Sequence, residues 1–266
     1  MDALAARNSV KAKLAAGETV YGCFLRYPDP GLAEFLTYQG WDFIVLDGEH
    51  GPLEPGSCEN LVRAIQMSDV VPLVRVPVNQ PHVILRFLDT GAQGCHVPHV
   101  HSGQDADAAV RSVKYHPRGL RGLANTRAAQ YGQVGSLGEY VVEANSETLV
   151  VVQAESMEAV ERISEIAAVP DVDVVFIGPT DLSQSFGVAG DINDGRVRAG
   201  MERIAAAVEE TDAALGVMVA SAAAAADWQK RGARYIAVSL EAIVAPAAEA
   251  YLRSARGQRE HIERQD

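Results

Sequence analysis

Residues 41–52, WDFIVLDGEHGP, place four consecutive apolar residues directly before a cluster of acids, glycines and a histidine. An uninterrupted apolar run is typical of a parallel strand whose outer face is covered by helices. Residues 173–187, DVVFIGPTDLSQSFG, repeat this arrangement, with Val174–Ile177 as the apolar run. Both segments therefore predict an α/β protein built on a parallel sheet.

Similar runs rich in Val and Ile recur along the chain, each followed by a segment with helical spacing. We predict eight strands, at residues 20–25, 43–47, 72–76, 94–97, 149–153, 174–177, 216–219 and 235–238. An open doubly wound sheet would show the same pattern, but the sequence contains neither GxGxxG nor GxxxxGK[ST]. Eight strand–helix pairs favour a closed (β/α)8 TIM barrel, with residues 1–266 forming a single domain.

The intervening helices are predicted at residues 31–39, 57–67, 81–89, 103–115, 157–167, 195–211, 222–231 and 242–253. Between residues 116 and 146 this rhythm gives way to a Gly-rich, Arg-bearing stretch with one short helix, at 139–144. We interpret this stretch as a long loop over one end of the barrel.

The composition limits the class of protein. Thirty-five acidic residues against 23 Lys and Arg give a formal charge of -12 at pH 7, which disfavours nucleic-acid and membrane-surface partners. Three widely spaced cysteines suggest neither a disulfide framework nor a thiolate zinc site, so we expect a cytoplasmic protein. We also expect no transmembrane helix and no signal peptide, because no sufficiently long apolar stretch is found.

In a parallel barrel the reactive groups follow the carboxyl ends of the strands. Polar side chains cluster at those points or inside the strands that lead to them: Asp47, Glu49, His50, Arg75, His99, His101, Gln153, Glu155, Thr180 and Asp181. We predict that they share one mouth of the barrel.

Glu155 and Asp181 are the candidate metal ligands, because Mg²⁺ and Mn²⁺ need only one or two protein carboxylates. The remaining coordination positions would accept the carboxylate and keto oxygens of a 2-oxo acid. Alternatively, Glu155 is an acid in the first turn of a helix and Asp181 an N-cap. Gly178, Pro179 and Thr180 resemble a helix entry that could bind a substrate carboxylate.

His50, beside Asp47, is either a general acid or base or a solvated loop residue. Arg75 lies in an otherwise apolar strand, where it must meet an internal salt bridge or a substrate oxyanion. His96, His99 and His101 match no zinc spacing, so lining of the pocket or plain surface are the alternatives to a metal site.

Two other mechanisms lack suitable residues. An imine-forming aldolase needs a lysine inside the barrel, but every lysine falls in the N-terminal segment or on a predicted helix. Cys23 and Cys95 lie in apolar strands, and the sequence has no GxSxG elbow for a nucleophilic serine.

Six segments in register resemble the metal-dependent class II pyruvate aldolases of the HpcH/HpaI family, which include 4-hydroxy-2-oxoheptanedioate aldolases. The resemblance runs from about residue 22 to residue 220. The segments are WDFIVLDGEHGP, PLVRVP, LDTGAQG, YHPRGLRG, QAES and DVVFIGPTDLSQSFG.

This resemblance implies a barrel of the phosphoenolpyruvate/pyruvate superfamily, assembled as a hexamer (a trimer of dimers) with the last helix exchanged between subunits. It implies that Glu155 and Asp181 bind Mg²⁺, Mn²⁺, Co²⁺ or a similar ion and that Gln153 lines the pocket. His50, paired with Asp47, would activate a metal-bound water as the proton-transferring base.

By the same resemblance, Arg75 would stabilise the enolate oxygen. The backbone from Gly178 through Pro179 and Thr180 would hold the pyruvate carboxylate, and Asp89 would reach a neighbouring subunit's site. The segments GCHVPHVHSG and AVSLEAIVAP depart from the family, the first by carrying histidines where aliphatic or methionine residues are expected.

We therefore expect reversible aldol cleavage of a 4-hydroxy-2-oxo acid to pyruvate or hydroxypyruvate plus an aldehyde. An oxaloacetate decarboxylase or CoA-ester lyase using the same site is one alternative. A non-catalytic binding barrel is another.

Overall fold

Eight parallel strands form a closed barrel in the structure, a computed structural model that describes residues 7–257. Each strand pairs with the next along the chain, and β8 returns to pair with β1, so the sheet has no free edge. The strands are β1 Val20–Leu25, β2 Phe43–Asp47, β3 Val71–Arg75, β4 Gly94–Val97, β5 Leu149–Ala154, β6 Val174–Ile177, β7 Ala214–Val219 and β8 Ala233–Ser239. The (β/α)8 barrel predicted from the strand count is confirmed.

Helices surround the barrel, most of them between successive strands. They are α1 Ser9–Ala15, α2 Pro30–Thr37, α3 Pro55–Ile65, α4 Pro81–Leu88, α5 Gly103–Val113, α6 Leu137–Glu147, α7 Met157–Glu161, α8 Ile163–Ala167, α9 Pro179–Ser185, α10 Gly195–Glu209, α11 Ala222–Lys230 and α12 Leu240–Ala255. Among residues 7–257, none of these helices has both the length and the apolar character needed to cross a membrane.

Alternation along each strand separates two apolar layers. Residues such as Ile44 and Leu46 point outward and pack against the helices, whereas Phe43 and Val45 point into the barrel. Gly22 leaves room for this interior packing, since a Cβ there would lie 2.0 Å from the Phe43 ring. The interior is thus a packed core, and a site can form only at its rim.

Helix α1, which the sequence analysis did not anticipate, covers the amino end of the barrel. The Asn8 side chain caps it by accepting a hydrogen bond from the Lys11 backbone N–H (3.0 Å). Its buried residues Val10 and Leu14 belong to the interior apolar cluster. The carboxyl end is therefore the end at which side chains remain accessible.

Two predicted segments differ in detail from the structure. The helix predicted over 157–167 is divided into α7 and α8 at Arg162, whose φ of -107° and ψ of 17° interrupt the helical geometry. The long stretch after α5 is more ordered than a loop, with a 3₁₀ segment at Arg127–Gly132 and α6 extending over eleven residues.

Candidate active site

Asp47 and Arg75 form a buried ion pair at the carboxyl ends of β2 and β3, which place the two residues side by side in register. Arg75 donates from Nε and Nη2 to the two Asp47 oxygens, at 2.8 and 2.6 Å. Burial alone would raise the Asp47 pKa, but the bonds and charge of Arg75 and two backbone N–H donors hold that pKa below its ordinary value. Of the two alternatives given for Arg75, the structure shows the internal salt bridge, with Asp47. This salt bridge fixes the orientation of the guanidinium.

Glu49 lies against the same guanidinium, with Oε2 3.2 Å from Arg75 Nη1. That oxygen is buried and has no hydrogen-bond partner in the part of the chain that the structure describes. Burial, reinforced by the charges of Glu155 and Asp47, raises the pKa of Glu49 to about 7 against the opposing effect of Arg75 and His99. Glu49 is therefore a carboxylate that the protein alone leaves poorly compensated.

Glu155 follows β5 directly, and only 2% of its side chain is exposed. Gln153 Nε2 donates to its Oε2 at 2.7 Å, and the backbone N–H of His99 donates to its Oε1 at 2.8 Å. Gly178 makes room for the carboxylate, because a Cβ at that position would lie 2.7 Å from Glu155 Oε2. These contacts hold Glu155 rigidly at the mouth of the barrel.

The His99 ring lies between the two glutamates. Its Nε2 is 3.3 Å from Glu49 Oε1, and its Nδ1 is 3.4 Å from Glu155 Oε1. One nitrogen or carboxylate oxygen from each of these three residues lies within 4.8 Å of the others. The arrangement combines two buried carboxylates with a more exposed imidazole.

This donor set fits a divalent cation. Carboxylate oxygens suit Mg²⁺ and Mn²⁺, and the imidazole adds a nitrogen donor for ions such as Co²⁺. Glu49 supports the fit, because within residues 7–257 its Oε2 is paired only with Arg75 and has no hydrogen bond, while its Oε1 faces His99 and could bind a cation. Glu155, predicted from the sequence, belongs to this group together with Glu49 and His99.

Asp181, the other predicted ligand, lies in the first turn of α9, three residues after Gly178. Its carboxylate makes no hydrogen bond or ion pair with other residues between 7 and 257. Since Gly178 touches Glu155, Asp181 follows on the same rim. Its role as a ligand stays a prediction.

His50 is exposed beside this group and is attached to it through its backbone. Its N–H donates to Asp47 Oδ1 at 3.1 Å, whereas its imidazole forms no hydrogen bond within residues 7–257. The side-chain pairing of His50 with Asp47 implied by the resemblance is therefore not present here, because Arg75 occupies the Asp47 carboxylate. The catalytic role of His50 stays a prediction.

The predicted substrate-binding residues divide between the two ends of the barrel. Gln153 is buried at the site, and Gly178, Pro179 and Thr180 begin α9 next to Glu155. Asp89 instead ends α4, before β4, and forms an ion pair with Arg121 at 2.8 Å. It therefore lies towards the amino end of its own barrel, and its contribution to a neighbouring subunit's site stays a prediction.

Beneath the charged group, His96 points into the barrel. Its Nε2 lies 2.6 Å from the Tyr235 hydroxyl, and its ring contacts Phe24 and Phe176 edge-on. Burial, followed by the Arg75 charge, lowers the His96 pKa to about 3, so the ring is neutral. His96 is a core residue, separate from His99 at the rim.

Sequence reasoning did not select Glu49 as a candidate metal ligand, and it considered His99 only as part of a histidine cluster with His96 and His101. The sequence feature that Glu49 and His99 share is their position, because each lies two residues beyond the end of a strand, β2 or β4. The His99 backbone φ of 54° directs its ring in a way that strand alternation could not predict.

Comparison with known proteins agrees with this geometry. The model of the HpcH/HpaI aldolase/citrate lyase family matches residues 20–246. A 4-hydroxy-2-oxo-heptane-1,7-dioate aldolase of Escherichia coli is 35% identical over 246 residues, covering 91% of this chain and 93% of that protein. A hydroxypyruvate/pyruvate aldolase of Roseovarius nubinhibens is 32% identical over 237 residues, covering 89% and 92%.

Among solved structures, an HpcH/HpaI aldolase/citrate lyase family protein from Burkholderia cenocepacia superposes with a TM-score of 0.89 at 35% identity. The match covers 94% of this chain and 99% of that one. The chain belongs to the HpcH/HpaI aldolase/citrate lyase family.

Proposed function

We propose that this protein catalyses the reversible aldol cleavage of a 4-hydroxy-2-oxo acid into pyruvate, or hydroxypyruvate, and an aldehyde. The observation that carries the proposal is the convergence of Asp47, Glu49, Arg75, His99 and Glu155 at one mouth of the barrel. Aldolase relatives at 32% and 35% identity support the same reaction class, that of carbon–carbon lyases.

In the cleavage direction, the C4 hydroxyl loses its proton and the C3–C4 bond breaks. The electron pair of that bond moves to the C2 keto oxygen as an enolate, the aldehyde departs, and C3 then takes up a proton. The protein must therefore stabilise one developing negative charge and move protons twice.

Arg75 supplies the fixed positive charge for the enolate oxygen. Its bidentate bond to Asp47 and the Phe24 ring, whose centroid lies 5.0 Å away, keep the guanidinium from rotating during the reaction. His50, with an exposed imidazole that no residue between 7 and 257 engages, moves the proton between substrate and water. The backbone from Gly178 through Pro179 to Thr180 and the Gln153 amide orient the 2-oxo acid.

A divalent cation would be held by Glu155, with Asp181 from the sequence prediction and Glu49 and His99 from the observed cluster as further donors. When bound, such an ion (Mg²⁺, Mn²⁺ or Co²⁺) supplies Lewis-acid stabilisation of negative charge on the 2-oxo acid.

We further propose a cytoplasmic homo-oligomer, a hexamer in which α12 is exchanged between subunits. Within its own subunit α12 buries only Leu240, while Ile243, Val244, Tyr251 and Leu252 are exposed. The three cysteines are buried and free, as a reducing compartment allows.

The test is a set of turnover assays with purified protein, before and after treatment with a chelator. We expect pyruvate and hydroxypyruvate to condense with one or more aldehydes, the chelator to abolish this reaction, and Mn²⁺, Mg²⁺ or Co²⁺ to restore it. Screening aldehydes identifies the physiological acceptor class.

The same assays separate the alternatives. Metal-dependent consumption of oxaloacetate or cleavage of a CoA ester, without aldol activity on any aldehyde, would replace the aldolase assignment. No metal-dependent turnover of any 2-oxo acid would favour a binding barrel.

A further inference from the structure

The position of the His99 side chain is unusual for an exposed loop residue. Although 58% of the side chain is exposed, its two ring nitrogens face carboxylates that are almost fully buried, those of Glu49 and Glu155. Both ring nitrogens are thus directed at carboxylates rather than at solvent. A cation bound to these carboxylates would therefore lie within reach of a ring nitrogen, because one ligand atom from each of the three residues lies within 4.8 Å of the others.

The backbone holds the ring in this place. His99 adopts φ 54°, a left-handed conformation that few non-glycine residues accept and in which His, Asn and Asp are enriched. Its N–H is bonded to Glu155 Oε1, and the next N–H, that of Val100, donates to the Gln153 carbonyl at 3.3 Å. The loop after β4 is thus bound to the residues of β5 that carry the site.

A second histidine supports the ring from outside. His101 stacks on His99 with ring centroids 6.2 Å apart, and its Nδ1 is fixed 2.8 Å from Ser156 Oγ. The Nδ1 of His101 is consequently hydrogen-bonded to Ser156, whereas both ring nitrogens of His99 are directed at carboxylates.

We propose that His99 is a direct protein ligand of the divalent cation that binds Glu155, and that it shifts the preference of the site from Mg²⁺ towards Co²⁺ and Zn²⁺. The inference rests on the proposed function only in requiring that a cation binds at this mouth. An all-oxygen site suits Mg²⁺, which gains little from a nitrogen donor, whereas imidazole strengthens the binding of later first-row metals. The histidine also falls in a segment where this chain departs from the family pattern.

The test measures metal binding to metal-free full-length protein by isothermal titration calorimetry, separately with Co²⁺, Zn²⁺ and Mg²⁺. The variant is His99→Asn, because Asn tolerates the left-handed backbone and lacks the imidazole. The matched control is His116→Asn, which removes an exposed histidine from the connection after α5, towards the opposite end of the barrel.

We expect His99→Asn to weaken Co²⁺ and Zn²⁺ binding by about 10- to 100-fold and to change Mg²⁺ binding by less than about threefold. The visible absorption bands of bound Co²⁺ should also shift in this variant and stay unchanged in the control. If His99→Asn does not fold, His99→Gly offers the same backbone freedom without the ring.

Unchanged Co²⁺ affinity and spectrum in His99→Asn would overturn the inference. So would an equal loss for Mg²⁺ and Co²⁺, which would assign His99 to positioning Glu155 through its backbone. Both results leave the aldolase proposal standing, whereas failure of the wild-type protein to bind any of the three ions would refute the metal-dependent function itself.

Discussion

The two ends of the barrel treat charge in opposite ways. At the amino end, Lys11 pairs with Asp173 at 2.9 Å and Lys13 with Asp42 at 2.5 Å, each pair partly exposed. At the carboxyl end, the carboxylates of Asp47 and Glu49 share the guanidinium of Arg75, and the buried carboxylate of Glu155 faces the His99 ring.

The ion pairs at the amino end stabilise the fold, whereas the charged residues at the carboxyl end form the candidate active site. Pairs at the amino end are complete within the chain, and α1 covers the barrel there. At the carboxyl end, Arg75 only partly neutralises the carboxylates gathered among residues 7–257, which opposes folding but attracts a cation. Substitutions at the two ends should therefore have effects of very different size.

The largest effect is expected for Glu155→Ala. Removing this carboxylate should weaken metal binding by more than about 100-fold and abolish turnover, while thermal stability is kept or rises because repulsion with Glu49 is relieved. Calorimetric metal titration, pyruvate assays and thermal unfolding measure the three quantities. An active, metal-free Glu155→Ala protein would contradict the assignment of the carboxyl-end carboxylates to metal binding and catalysis.

His50→Ala should come next, with turnover reduced by about 10²- to 10⁴-fold and metal affinity unchanged, because the imidazole moves protons and is not placed among the ligands. The exposed His116 towards the other end provides the control, since His116→Ala should retain full activity. Equal losses of turnover in both variants would show that histidines at the two ends of the barrel do not differ in their importance for catalysis.

Arg75→Met should reduce turnover by about 10²- to 10³-fold and destabilise the protein by about 3–5 kcal/mol, because Asp47 is left buried and unpaired. The double variant Asp47→Asn/Arg75→Met should regain much of the stability but none of the activity. Denaturant unfolding and steady-state kinetics separate these effects, and recovery of both together would show that the pair is only structural.

In the interior, Tyr235→Phe should cost about 1–3 kcal/mol, since His96 Nε2 loses its buried partner. Replacing both groups in His96→Leu/Tyr235→Phe should recover part of this loss. Equilibrium unfolding in urea measures both variants; a single substitution without any cost would mean that the 2.6 Å contact contributes nothing to stability.

The smallest effect is expected at the amino end. Lys11→Met should change the free energy of unfolding by about 1 kcal/mol or less and leave turnover unaltered, because its pair with Asp173 is partly solvated. A large loss of activity would show that the amino end communicates with the site.

The fold was largely predictable because each strand is a short apolar run bounded by polar residues, as in residues 43–47, which became β2 without change. Helix α1 escaped prediction since only Val10 and Leu14 mark its buried face. Two apolar residues in an otherwise polar segment give too weak a periodic signal.

The site was predictable only in part, for a related reason. Asp47, Arg75 and Glu155 could be placed because strand order brings their positions to one rim. Glu49 and His99 join them through loop geometry, including the left-handed backbone at His99, which no periodic pattern encodes. The pairing of Arg75 with Asp47 likewise depends on strand register, which the sequence does not state.

The aromatic layer of Phe24, His96, Phe176 and Tyr235 lies directly below the charged rim. This layer of aromatic rings and a neutral imidazole has a low polarisability compared with water. It therefore screens the charges of the carboxylates far less than water would. Their electric field is consequently directed outward into solvent rather than dissipated in the barrel. The packed interior thus increases the distance over which the negative potential of the site attracts cations from solvent.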